Sequence, residues 1–296
     1  MPQLLGDAPG STCDSSEYYE EKGEDVKVNW DRVKAAIEEE GVKRAKKPLA
    51  RFDLEDAVDL VRLAANKWLD EDLRLLRAPV FEVSFRQEVV PGVYAKGVLD
   101  VFTEHRPAVE TEAYLPCVID WKTRQTADVD SDWARDLRDS AQWRIYAWAS
   151  RAPHFFYRGL SRRSRKCREV PIQVPEDNDA WVENYLRGIA AQHVALTSAE
   201  LPVWPQVKPR ACRAWGRDCE RRDSLRNTGN CGPPEALRGS RDLSYTAIER
   251  FLLCPERYRC HALAPDGEYE SDDSLFGSAF HAGAAEAWRQ AFQEEN

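Results

Sequence analysis

The sequence predicts an α/β protein in which a mixed sheet of about four or five strands is flanked by helices. Three runs between residues 80 and 123 are rich in β-branched and aromatic residues and are separated by turn segments, which is typical of strands. Apolar residues recur at helical spacing before and after these runs. A chain of 296 residues that is 43% hydrophobic has enough apolar surface for one sizeable domain and a small second module.

The predicted elements follow in order along the chain. Helices are expected over residues 29–40 and 54–69, the second with Asp53 as N-cap. The three strands are expected at 80–90, 94–104 and 115–123. A helix over 133–150, a strand pair flanking the turn SRRSRK, and a helix over 177–198 complete the main part of the chain. Two further helix patterns cover residues 243–263 and 274–292.

Composition divides the chain into four predicted parts: an acidic, flexible segment at 1–27, a main domain at 28–231 with a cysteine-rich end, a linker at 232–242, and a helical segment at 243–296. No apolar run approaches the length of a membrane span, and the first residues do not have the pattern of a secretory signal. We therefore expect a soluble, intracellular (cytoplasmic) protein that does not bind membranes.

Charge and cysteine content constrain the partners. The net charge is −9, yet one turn is strongly basic and could track a DNA backbone, or could simply be a solvated loop. Eight cysteines in a chain with no export signal favour metal or cluster ligation over disulfides. The residues of the basic loop are Arg162, Arg163, Arg165, Lys166 and Arg168.

Two of the predicted strands carry charged residues where hydrophobic runs end. Asp120 and Lys122 stand two residues apart, so they project from the same face of their strand. If the neighbouring strand pairs with this one, Asp100 joins them. Two converging carboxylates favour a bound divalent cation, and oxygen ligands suit Mg²⁺ or Mn²⁺. An ordinary surface ion pair is the alternative, but the apolar residues before both aspartates disfavour it.

Such a cation would activate water for phosphodiester hydrolysis, with Lys122 orienting that water and stabilising charge. Three motifs of the chain resemble the RecB-like branch of the PD-(D/E)XK nucleases, which includes CRISPR-associated exonucleases. The motifs are GVLD at 97–100, VIDWKT at 118–123 and QWRIYAW at 142–148. The resemblance implies a restriction-endonuclease-like core in which Gln142 and Tyr146 support the site.

The resemblance also covers the C-terminal segment, which is similar to the head that normally opens such domains. It implies that His281 binds the metal together with Asp100, Asp120 and the carbonyl of Trp121. Because this head follows the strands here, either the domain is circularly permuted, or residues 243–296 begin a second copy.

By the same resemblance, four cysteines would hold a [4Fe–4S] cluster. A zinc site is the alternative, as is no cluster at all, and the wide gap before Cys231 makes Cys260 a substitute ligand. The implied ligands are Cys212, Cys219, Cys231 and Cys254.

The resemblance implies a DNA exonuclease, rather than a site-specific endonuclease, acting on free ends or single strands in recombination, repair or CRISPR-type processing. A helicase or recombination protein would be its partner. Two other functions remain open: a catalytically inactive iron–sulfur DNA-binding or scaffold module of a nuclease–helicase complex, and an RNA-processing nuclease. The RNA alternative has less support because the aromatic residues form no base-stacking motif such as that of an RRM.

Overall fold

The computed structural model describes residues 28–44, 51–106, 113–125, 128–198, 242–253 and 272–294. Two helices come first, followed by three strands: α1 (Trp30–Arg44), α2 (Arg51–Leu75), β1 (Leu76–Val90), β2 (Val93–His105) and β3 (Leu115–Arg124). The elements after them are α3 (Ser131–Asp139), α4 (Ala141–Ser150), β4 (His154–Ser161), β5 (Cys167–Gln173), α5 (Asn178–Ser198), β6 (Asp242–Ser244), α6 (Tyr245–Leu253) and α7 (Asp272–Glu294).

The strands form one mixed sheet in the order β1-β2-β3-β4-β5, with β6 pairing with β2. Strand β3 is antiparallel to β2 and parallel to β4. The predicted α/β class, with a mixed sheet flanked by helices, is confirmed. The sheet has six strands rather than four or five, because the three-residue β6 pairs in parallel with Tyr94–Lys96. A strand that short leaves no periodic pattern in a sequence.

Two helix predictions are wrong in detail. The single helix expected over 133–150 is two helices, α3 and α4, because Ser140 adopts an extended backbone (φ −70°, ψ 139°) between them. Its hydroxyl accepts a hydrogen bond from the N–H of Gln142, which caps α4. Asp53 lies inside α2 rather than at its N-cap, since that helix begins at Arg51.

The chain groups into two compact units. The first comprises the described parts of Met1–Val83, Leu99–Pro175 and Glu270–Asn296, and the second those of Ser84–Val98 and Glu176–Tyr269. The predicted C-terminal segment is therefore shared between them, with α7 in the first unit and α6 in the second. None of the described helices combines the length and apolar character needed to cross a membrane.

Helix α7 packs against α1 and α2 in the core of the first unit. Its inner face carries small side chains, and at Gly283 an added Cβ would lie 2.6 Å from a side-chain carbon of Ile37. That spacing requires glycine for α7 to approach α1 so closely. Further along the same helix, Phe280 and Trp288 both contact the ring of Trp121 in β3. These contacts hold α7 beside the strand that carries Asp120.

Candidate active site

Asp100 and Asp120 face each other across β2 and β3. The antiparallel register pairs Val101 with Ile119, so the next pair along is Asp100 with Asp120. Directly opposed residues in such a ladder project from the same face of the sheet. Asp120 is only 1% exposed. The N–H of Trp121 donates a 2.8 Å hydrogen bond to Oδ2 of Asp100, which holds that carboxylate against β3.

Three further side chains surround Asp120. The ammonium of Lys122 contacts its Oδ2, and Nε2 of Gln142 donates to its Oδ1 at 3.2 Å. Tyr146, one turn beyond Gln142 on α4, is hydrogen-bonded to the Gln142 side chain. The hydroxyl of Ser140 caps α4 at Gln142. This cap fixes the start of the helix at a position from which Gln142, in its first turn, reaches the carboxylate of Asp120. The sequence therefore folds locally so that α4 holds Asp120 in one orientation.

His281 reaches Asp100 from α7. Its Nδ1 lies 3.4 Å from Oδ1 of Asp100, and the imidazole is 27% exposed. The structure thus brings together six of the residues singled out from the sequence, although they come from four separate elements. These residues are Asp100, Asp120, Lys122, Gln142, Tyr146 and His281.

Burial and opposing charges shift the ionisation of these groups. Burial raises the pKa of Asp120 to about 6, and the nearby charge of Asp100 adds to the rise while that of Lys122 opposes it. Burial would also raise the pKa of Asp100, but the charges of His281 and Lys122 lower it below its ordinary value. For His281, burial works towards a lower pKa, yet the charge and hydrogen bond of Asp100 raise it. Asp100 is therefore the more acidic of the two carboxylates, and Asp120 is the one whose ionised form is disfavoured.

The donor set fits a divalent cation in its chemistry: two opposed carboxylates, an imidazole nitrogen and the main chain at Trp121. Over the described ranges, however, no three His, Cys, Asp or Glu side chains stand in a ready-made metal-binding arrangement. The carboxylates are instead paired with Lys122 and His281. A cation would have to replace at least the His281 contact, with the imidazole giving up its proton to become a ligand.

The basic loop between β4 and β5 is largely engaged with acidic residues of the first unit. Asp56 of α2 binds Arg162 at 2.8 Å and also contacts Arg165. Lys166 lies 3.4 Å from Asp128. Arg168 contacts the carbonyl of Val129 at 3.4 Å, and Arg163 is exposed. Of the five predicted DNA contacts, Arg163 is therefore the most accessible.

The four predicted cluster ligands, Cys212, Cys219, Cys231 and Cys254, lie outside the described residues, as does the substitute Cys260. Two cysteines that were not assigned to the cluster, Cys117 and Cys167, are buried and form no disulfide. Burial raises the pKa of the Cys117 thiol far above its ordinary value, so it is an unreactive core residue.

Sequence reasoning missed two groups next to the site. Tyr157 of β4 is fully buried and pairs with Asp120 of β3 in the sheet. The Nζ of Lys122 lies 5.7 Å from the centroid of its ring. Behind the site, Arg158 forms a buried ion pair with Asp72. A charged residue inside the apolar strand HFFYRGLS was the available signal for Arg158, since an arginine in such a strand needs a buried partner.

No family model matches the chain, and no curated protein matches it. Among solved structures, the protein SSO0001 aligns over 56% of this chain and 70% of its own, with 18% sequence identity and a TM-score of 0.31. A similarity at that level supports no conclusion about fold or function.

Proposed function

We propose that this protein is a metal-dependent nuclease that hydrolyses phosphodiester bonds in DNA. The observation that carries the proposal is the convergence of Asp100, Asp120, Lys122 and His281 from two strands and a helix distant in sequence. Opposed buried carboxylates are costly to maintain, and the raised pKa of Asp120 reflects that cost. Such an arrangement is more readily explained by function than by stability.

The site residues divide into ligands and supporting groups. Asp100, Asp120 and His281, with the carbonyl of Trp121, would hold Mg²⁺ or Mn²⁺, which polarises a phosphodiester and makes water a better nucleophile when bound. Gln142 orients Asp120 through its 3.2 Å hydrogen bond, and Tyr146 in turn holds Gln142.

Lys122 has a separate role. Its side chain is 29% exposed, so the ammonium can leave Asp120 and face a bound phosphate. There it would orient the attacking water and stabilise the negative charge that develops on the phosphoryl oxygens.

The finer features of the proposal rest on the motif resemblance. They are exonuclease action at a DNA end or single strand, a role in recombination, repair or CRISPR-type processing, and a helicase or recombination partner. The [4Fe–4S] cluster, or zinc in its place, is proposed on the same basis. For DNA, Arg163 and Lys166 are the loop residues best placed to meet phosphates, since Arg162 and Arg165 are paired with Asp56.

One observation favours a second candidate, a catalytically inactive DNA-binding or scaffold module. Both carboxylates are already paired with cationic groups of the protein itself, Lys122 and His281. If those pairs persist in the presence of cation, the site is a structural charge cluster and the protein binds DNA without cleaving it.

Cleavage of end-labelled single- and double-stranded DNA with Mg²⁺ or Mn²⁺ separates the two. The wild type, purified anaerobically, is compared with Lys122→Ala and His281→Ala. Lys96→Ala is a matched control, because Lys96 is also a strand lysine paired with an aspartate, at 3.5 Å from Asp242 in the second unit. We expect both site variants to lose about 100-fold or more in rate and the control to keep its activity. DNA binding without metal-dependent cleavage by the wild type would instead establish the scaffold module.

A further inference from the structure

Asp72 is a buried acceptor that joins three elements of the first unit. It lies in α2 and is 2% exposed. Arg158 of β4 donates to both of its oxygens, at 2.5 and 2.6 Å. The indole Nε1 of Trp288 in α7 donates to Oδ2 at 2.7 Å. Through this one carboxylate, α7 is hydrogen-bonded to α2 and linked to β4.

Arg158 and Trp288, together with Trp68 of α2, enclose the side chain of Trp121. Its ring centroid lies 5.3 Å from that of Trp68 and 5.2 Å from that of Trp288. The guanidinium of Arg158 lies 5.5 Å from the Trp121 ring centroid. Because the N–H of Trp121 donates to Asp100, this cluster contacts the candidate site from behind β3. Trp121 therefore belongs to both: its side chain lies among Trp68, Trp288 and Arg158, and its main-chain N–H binds Asp100.

Trp288 and His281 lie two helical turns apart on α7, about 10 Å along its axis. Between them, the helix meets its neighbours through small buried side chains, among them Ala284 and Ala287. Ile37 of α1 fills the space beside Gly283 in this stretch and holds α7 against α1 by van der Waals contact. Hydrogen bonds are directional and add further resistance to sliding of the helix. Asn29 donates to Gln290 and holds α7 to α1, while Trp288 holds it to α2.

We propose that Trp288 is a positioning residue, which through Asp72 and Arg158 fixes the axial position of α7 and thereby delivers His281 to Asp100. Metal ligands must meet their cation within a few tenths of an ångström, so a small slide of α7 removes His281 from the ligand set. This inference rests on the proposed metal site and names the residues that assemble it.

A double-mutant cycle on Mn²⁺ affinity, measured by electron paramagnetic resonance titration, tests the inference. Trp288→Phe keeps a ring in the cluster but removes the donor to Asp72. We expect it to weaken Mn²⁺ binding about tenfold, as loss of groups that orient a ligand does. In a His281→Ala background the same change should have no further effect, because the ligand that it positions is gone. Val182→Ala, a buried truncation in α5 of the second unit, controls for general destabilisation and should leave the affinity unchanged.

The outcomes separate the two proposals. If the wild type binds Mn²⁺ and Asp120→Asn weakens that binding, but the cycle is additive, Trp288 does not act through His281 and the inference is overturned alone. If the wild type binds no Mn²⁺, or Asp120→Asn has no effect, the metal site is overturned and the inference with it. A coupled cycle, with circular dichroism spectra unchanged, supports both.

Discussion

Two buried carboxylates of the first unit, Asp72 and Asp120, are neutralised in different ways. Asp72 receives two hydrogen bonds from the buried guanidinium of Arg158 and a third from Trp288. Asp120 receives one from Gln142 and contacts a lysine whose side chain is 29% exposed. Burial alone would lower the pKa of Arg158, but Asp72 and Glu169 raise it above its ordinary value, so that partner never loses its charge.

The difference separates a structural from a functional use of the same residue type. At Asp72, a rigid guanidinium fork and the indole N–H together occupy both carboxylate oxygens. A lysine on a flexible stem can leave, which exposes the carboxylate to a new ligand. The raised pKa of Asp120 indicates that its neutralisation is incomplete. We expect the ion pair of Asp72 with Arg158 to stabilise the fold, and the pair of Asp120 with Lys122 to open for a ligand.

Removing Arg158 gives the sharpest test of this contrast. Arg158→Met leaves the buried Asp72 and the partly exposed Glu169 without their counter-charge, and we expect a loss of about 3–5 kcal/mol in the free energy of unfolding. Lys122→Met should cost less at pH 7, because burial already raises the pKa of Asp120 to about 6 with Lys122 in place, and removal of that charge raises it further, so that Asp120 can take up a proton instead of remaining an unpaired charge. Urea denaturation in the presence of a chelator measures both, and equal losses would remove the distinction.

A second test concerns Gly159, which lies between the two clusters, next to Arg158 and opposite Lys122 in the sheet. A Cβ at this position would fall 2.0 Å from an atom of the Trp133 ring, so Gly159→Ala must displace the indole of α3. We expect a loss of about 1–3 kcal/mol in thermal or urea denaturation. Combining it with Trp133→Leu should recover part of the loss, and failure to do so would mean that the clash is not its source.

The pH dependence of stability gives a third test, with a smaller expected effect, at His105, which lies near Arg158 and Asp72. Burial lowers the pKa of His105, and the positive charges of His154 and Arg158 lower it further. Its neutral form is therefore favoured in the folded protein, and stability is lost as pH falls below about 6.5. We expect His105→Gln to reduce the loss between pH 7 and pH 5 in urea denaturation. An unchanged slope would assign the acid sensitivity to other groups.

The smallest effect on stability is expected in the basic loop. Lys166 and Asp128 are 41% and 45% exposed, so Lys166→Ala should leave the denaturation midpoint unchanged. If Lys166 contacts a phosphate, the slope of log K against log salt for DNA binding should fall by about 0.9. A changed midpoint with an unchanged slope would make the loop part of the structural cluster instead.

The sequence predicted the parts of the site that depend on local periodicity. Strand alternation placed Asp120 and Lys122 on one face, and the predicted strands containing Asp100 and Asp120 are neighbours. Gln142 and Tyr146 are four residues apart, so helical periodicity alone placed them on one face of their helix. The break at Ser140 was missed because the apolar pattern continues through it, and only the cap geometry shows that two helices meet there.

Longer-range pairings could not be read in the same way. Asp72 and Arg158 form an ion pair although they are 86 residues apart, and the sequence around one residue does not identify the other as its partner. The approach of His281 to Asp100 was implied by the motif resemblance and not by any pattern in α7 itself. Such contacts depend on how helices pack on the sheet, which periodicity does not specify.

The position of α7 also bears on the order in which the protein acquires its site. The strands that carry Asp100 and Asp120 end at His105 and Arg124, whereas α7 begins at Asp272, so these carboxylates leave the ribosome long before the helix that brings His281. Until then, Phe280 and Trp288 do not cover Trp121 on β3, and His281 is absent from Asp100. A nuclease built in this order would be inert as a nascent chain and would become competent only when synthesis has passed α7.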